Sequence, residues 1–151
     1  MSEFMLQADA EVLVERYVGF ICGEPDARFE AMLADDFFDH VSGRRGADIW
    51  AQVAIWLAST FADPEVDIHE VMTRGDRVMV WMTVTATHVG AGLPRIRDLA
   101  ITGKRVPWTQ VHIFRVAEGK ITEHWAVRDD YGMVESIVGS GPLVAPLHDG
   151  P

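Results

Sequence analysis

The hydrophobic period of this chain changes once, near Pro64, and that change limits the folds open to it. Before Pro64 apolar side chains recur about every four residues, as on helices; beyond it they alternate, as on half-buried strands. Leu13, Tyr17 and Ile21, widened by Val14 and Val18, mark a first helix that Asp9 can cap and Gly23 can stop. Pro25 suits the first turn of a second, short helix through Ala34, with Phe29, Met32 and Leu33 facing inward. Asp35–Val41 reads as a brief extended piece closed by Ser42 and Gly43. A third helix follows over about Ala47–Phe61, with Ile49, Val53, Leu57 and Phe61 on one face.

Past Pro64, Glu65–Arg74 and Asp76–His88 alternate around a tight Gly75-Asp76 turn. Val106–Val116 and Lys120–Asp129 form a second hairpin around Ala117–Gly119. The stretch between them, Val89–Gly103, is rich in Gly and Pro and reads as a mobile loop. A short helix from about Asp130 to Val138 ends at Gly139, and SGPLVAPLHDGP, without any period, reads as a loose tail. Residues 1–139 therefore form one domain and 140–151 a tail. Helices first and an antiparallel sheet second is an α+β pattern. Three N-terminal helices packed on a curved antiparallel sheet would make a cone-shaped barrel with a central pocket, the usual place for a small molecule.

Composition excludes several partners. With 13 basic against 23 acidic side chains the net charge is −10, and Arg44-Arg45 and Arg95–Arg105 are too sparse for a nucleic-acid groove. Apolar runs such as Val78–Met82 fall far short of the ~20 residues that span a bilayer. The opening MSEFMLQADAE lacks a basic stretch followed by an apolar run, which reads as no secretory signal. The single Cys22 rules out a disulfide framework within one chain and reads as a small buried hydrophobe. Together these point to a cytoplasmic protein. The six histidines show no HExxH or HxH spacing, so no metal site is expected. GxSxG, GxGxxG and GxxxxGK[ST] are missing too, and nothing asks for a nucleotide, flavin or other cofactor.

Strand parity then selects candidate pocket residues. Trp108, Gln110, His112 and Phe114 share a face of the third strand; Ile121, Glu123, Trp125, Val127 and Asp129 share one on the fourth. On the second strand His88 joins Val78, Val80, Met82, Val84 and Ala86. If these faces meet, His112 and Asp129 enter a space lined by Trp108, Phe114 and Trp125, with Gln110, His88 and the helical Trp50 as further wall residues. Arg128 then has the wrong parity to share a pocket with Asp129, which argues against an epoxide-opening Asp-Arg-Asp set. His40, just before a turn, is a candidate at the pocket mouth. Each has a plain structural alternative: His112 a hydrogen-bonded core residue, Asp129 a helix cap, the tryptophans ordinary core. The opposite stripe with Trp81 is apolar enough to bury, which predicts a homodimer through the outer sheet face.

Several stretches in order resemble one family: FFDHVSGRRG at Phe37–Gly46, GDRVMVWMTVTATHVG at Gly75–Gly90, GKRV at Gly103–Val106 and HIFRVAEGKITEHWAVRDDYGMVESIVG at His112–Gly139. The chain resembles, over about Leu13–Gly139, the SnoaL-like polyketide cyclases of the nuclear-transport-factor-2-like superfamily, which includes ketosteroid isomerase. The resemblance implies that Asp129, four residues after the tryptophan of the EHW motif, is the base. It would remove an acidic proton from a carbon between two carbonyls, and the enolate would close a ring without cofactor or metal. His112 would hydrogen-bond the developing oxyanion. His40 matches the turn residue that is the base in ketosteroid isomerase, while neither Tyr17 nor Tyr131 evidently matches that enzyme's oxyanion tyrosine. The chain departs from the family pattern after Asp129, where DYGMVESIVG replaces a run closer to LGLLQQLG. It also carries Arg95 and Arg97 in the Val89–Gly103 loop, where they either bind a substrate carboxylate or solvate a lid.

The implied function is general acid/base proton abstraction on a carbonyl-containing apolar small molecule, as in an aldol-type cyclase or isomerase. Its counterpart is a non-catalytic ligand-binding or assembly domain of the same fold. That second reading would be marked by a plugged pocket and an Asp129 occupied as a cap.

Overall fold

The computed structural model describes residues 7–139; the expected tail at 140–151 lies outside them. The elements are α1 (Gln7–Ile21), β1 (Leu33–Asp39), β2 (Arg44–Arg45), α2 (Asp48–Ala58), β3 (Phe61–Arg74), β4 (Arg77–His88), β5 (Arg105–Ala117), β6 (Lys120–Arg128) and α3 (Asp130–Val138). One six-stranded sheet runs in the order β2-β1-β6-β5-β4-β3. Neighbours are antiparallel except for the parallel pair β1–β6, and α1 and α2 cover the inner face of this α+β fold.

Both predicted hairpins form, and α3 spans the predicted residues. The second predicted helix is corrected to a 3₁₀ turn at Glu30–Met32. Arg28 adopts a left-handed φ of 52°, and Leu33, given to that helix by its period, starts β1 opposite Ile121. Sheet pairing thus outweighs a weak local helical preference. The third predicted helix stops at Ala58, and Phe61 begins β3. The Val89–Gly103 segment contains a 3₁₀ turn at Pro94–Ile96 and is pinned to the end of α2. Val89 and Gly90 donate backbone hydrogen bonds to the Thr60 carbonyl (2.9 and 3.1 Å), and Leu93 N donates to Thr60 Oγ1 at 2.6 Å. Only glycine fits position 90, where a Cβ would lie 1.8 Å from the Ser59 carbonyl oxygen.

The feature that decides the site is a β-bulge. Arg115 opposes Glu123 while Val116 opposes Ile121, so Thr122 is an extra residue on β6. On β5 the predicted inward set Trp108, Gln110, His112 and Phe114 is buried. On β6 the bulge reverses parity after Ile121, so that His124 faces inward opposite Phe114, followed by Ala126 and Arg128. Glu123, Trp125 and Val127 take the outer face, where Val127 is 76% exposed. The core centres on Phe29, Phe37, Trp50, Phe114 and Ile121. Burying each such side chain stabilises the fold by roughly 1.5–3 kcal/mol. A second cluster of Ile96, Val106, Trp108, Met133 and Ile137 closes the α3 end. Among the described residues no helix is long and apolar enough to cross a membrane.

Candidate active site

Between α1, α2 and the inner face of β4–β6 lies a cavity of about 620 Å³. Most of its wall is apolar, including Ile49, Val53, Leu57, Val84 and Met133. Trp50, Trp108 and Gln110 line it as the sequence suggested.

One side carries a continuous polar chain. Asp39, the last residue of β1, accepts hydrogen bonds from Ser42 Oγ (2.7 Å), Ser42 N (3.2 Å) and Val41 N (3.3 Å), all in the turn that follows it. Its Oδ1 also accepts from His124 Nδ1 at 2.8 Å. His124 Nε2 lies 2.9 Å from His112 Nδ1, and His112 Nε2 lies 2.7 Å from Gln110 Oε1. The Tyr17 hydroxyl, from α1, stands 3.3 Å from the His112 ring nitrogens. Asp39, Tyr17, Gln110 and His124 all contribute to the cavity wall, with His112 buried directly behind.

The electrostatics follow from burial and pairing. Burial opposes ionisation of Asp39, but hydrogen bonds from His124, Ser42 and Val41 prevail and hold its carboxyl at about 2. Burial pushes His124 below its ordinary value despite the pull of Asp39. Burial, then the charges of His124 and Arg128, press His112 far below its own. Burial raises the Tyr17 hydroxyl, and Arg128 offsets only part of that rise. At neutral pH the carboxylate is charged and both imidazoles are neutral. His124 then donates Nδ1–H to Asp39, and His112 donates Nδ1–H to His124. His112 Nε2 is left a lone pair, which accepts a hydrogen bond when Gln110 presents its amide N–H. Gln110 Oε1 facing that nitrogen instead matches a chain holding one extra proton.

The α3 end carries the second polar group. Asp130 Oδ1 accepts from Trp108 Nε1 at 3.0 Å, and Asp130 Oδ2 pairs with Arg95 at 2.6 Å, tying the Pro94–Ile96 turn to α3. Arg128 also lines the cavity, with its guanidinium carbon 5.9 Å from the Trp108 ring.

Other candidates lie elsewhere. Asp129 is corrected from the pocket to the surface: bulge parity turns it outward, and its Oδ1 caps α3 by accepting from Gly132 N at 2.9 Å. His40 stands on the outer face, stacked on Trp125 at 4.4 Å and hydrogen-bonded to Glu123. Trp125, expected inside, is outside for the same reason of parity, flanked by Arg77 and Arg115. Phe114 keeps the predicted face but fills the core beneath the cavity, with no exposure. His88 is fully buried near Phe61, off the cavity wall, with no hydrogen-bond partner for either ring nitrogen among the described residues.

Sequence reasoning missed Asp39, His124, Tyr17, Arg128 and Asp130. A signal existed for Asp39, which shares strand parity with the buried Phe37, and for Tyr17, which lies on the apolar stripe of the first helix. His124 and Arg128 were hidden by the bulge.

The profile of the SnoaL-like polyketide cyclase family matches residues 11–137. Nogalonic acid methyl ester cyclase of Streptomyces nogalater is 32% identical over 83 residues, covering 52% of this chain and 57% of that protein. The match thus spans little more than half of that relative. TsrD from Streptomyces laurentii superposes with a TM-score of 0.75 at 21% identity, covering 88% of this chain and 97% of that one. IdmH from Streptomyces antibioticus gives 0.69 at 20% identity, covering 87% and 99%. At such identities these likenesses establish the fold alone. With the family profile running from α1 to the last turn of α3, the chain belongs to the SnoaL-like polyketide cyclase family.

Proposed function

We propose that this protein is a cofactor-independent acid/base catalyst that closes a ring in an apolar, carbonyl-bearing molecule. The observation that carries the reading is the buried Asp39–His124–His112–Gln110 chain ending at an apolar cavity. Gln110 swings aside to open the buried His112 Nε2 to the cavity, and an acidic C–H held there gives it its proton. The bond's electron pair moves into an enolate, whose oxygen the Tyr17 hydroxyl stabilises by donating a hydrogen bond. The enolate carbon then attacks a carbonyl of the same molecule, and the alkoxide formed recovers the proton from the imidazole pair. Asp39 stays ionised and holds His124 in one tautomer, so a neutral imidazole pair is the base. Apolar walls keep water from quenching the enolate.

The substrate named by the Streptomyces nogalater relative, nogalonic acid methyl ester, is the first compound to test. Ring closure and solvent-deuterium uptake at the acidic carbon should both occur with the wild type. Each should fall by about 10²–10⁴-fold in His112→Gln, the usual scale of a general base. Undiminished turnover in that variant would sink the mechanism. One observation favours the binding-module reading, namely that Asp129 is occupied as the cap of α3. Ligand-induced stabilisation without exchange or product, across a panel of polycyclic ketones, would support it.

A further inference from the structure

Four charged side chains line the cavity, and three are already matched. Asp39 is saturated by Ser42, Val41 and His124, while Asp130 is shared by Arg95 and Trp108. Arg95 has its carboxylate in Asp130. Arg128 has no ion pair among the described residues and only the neutral Tyr17 hydroxyl as a hydrogen-bonding neighbour, although it stands on the inner face opposite Gln110. The other arginines without a carboxylate among the described residues are exposed to solvent. Arg115, the remaining arginine that is not exposed, holds both Asp76 and Glu123. The Trp108 face offers Arg128 a cation–π contact, but no carboxylate among the described residues meets its planar fork of N–H donors. An unmatched cation in an apolar cavity is costly unless an anion completes it.

We propose that Arg128 is the anion anchor of the cavity and that the molecule bound there is a free acid, a flat apolar ring system bearing a carboxylate. The guanidinium fork receives the two carboxylate oxygens, the ring system lies along Trp108 toward Trp50, and its acidic carbon falls beside Gln110. This places a free acid, where the relative's name specifies a methyl ester, in the site proposed above, and it rests on that reading. Arg128 also depresses the proton affinity of both buried histidines, so a bound carboxylate would screen that charge and make the imidazole pair a better base.

Binding decides the proposal independently of turnover. Titration of the cavity tryptophans' fluorescence with anthraquinone carboxylic acid, its methyl ester and its primary amide compares one shape in charged and neutral forms. Wild type should prefer the acid by about tenfold or more, the scale of a charge-assisted bidentate contact. Arg128→Gln should erase the preference while the ester binds as before, Arg128→Lys should keep part of it, and Arg95→Gln should leave it intact. Equal binding of acid and ester by the wild type overturns the proposal, as does no binding of the acid. A preference that survives Arg128→Gln, or that disappears in Arg95→Gln, overturns it too. If His112→Gln keeps full turnover while the acid preference holds, the catalytic reading fails and the anchor stands. If the preference is absent while His112→Gln is inactive, only the anchor fails.

Discussion

Two histidine–carboxylate pairs sit on opposite faces of the sheet around β6. On the outside His40 meets Glu123 at 3.0 Å; on the inside His124 meets Asp39 at 2.8 Å. The chemistry is the same and the lengths are nearly so, but the settings differ. His40 and Glu123 keep 34% and 25% of their side-chain surface, against 1% and 9% for His124 and Asp39. Outside, water solvates both groups, the flat face of Trp125 carries the imidazole, and the pair is an ordinary surface contact. Inside, each hydrogen on a ring nitrogen must be given to a named acceptor. Burial, not pairing, makes the inner set a network in which each ring is held to one orientation.

The difference is tested hardest by removing each carboxylate or its partner. Asp39→Ala should cost about 2–3 kcal/mol in urea denaturation, because it strands the buried His124 Nδ1–H and the turn donors of Ser42 and Val41. Ring closure should fall by about 10²–10⁴-fold in the same variant, since the tautomer of the pair is no longer held. Comparable losses in His40→Ala would break the distinction.

A smaller effect should appear in the pH dependence of stability. An unfolded histidine takes up a proton near 6.5, whereas His112 and His124 are held below that value when folded. The unfolded chain therefore binds more protons in acid. This contribution to stability is complete above 6.5 and is lost as pH falls toward the folded values. Melting temperatures followed downward from pH 7 should drop, and His112→Gln should flatten the curve. The smallest effect is His40→Ala itself, at under about 1 kcal/mol with turnover retained.

Much of the architecture was readable from local pattern. The two hairpins, the inward face of β5 and the limits of α3 follow from alternation and turn residues that each segment carries itself. The site was less legible. A period of two, carried unbroken along Lys120–Asp129, puts Trp125 and Asp129 inside and His124 and Arg128 outside. The extra residue Thr122 reverses all four, and nothing in ITEHW announces it. The second helix failed for a related reason, since Leu33 follows the pull of a strand almost ninety residues away in the chain.

Local sequence by itself determined the first helix, both hairpins and α3, because apolar period, glycine and proline act within a few residues. It also determined membership of the family, since ordered stretches from Phe37 to Gly139 survive as a pattern. Only the tertiary structure decided which ionisable groups meet. Asp39 and His124 stand 85 positions apart and touch because β1 lies parallel to β6 and the bulge turns His124 inward. Side-chain facing in a sheet depends on every residue paired before it, so one unpaired residue shifts the chemistry from one face to the other.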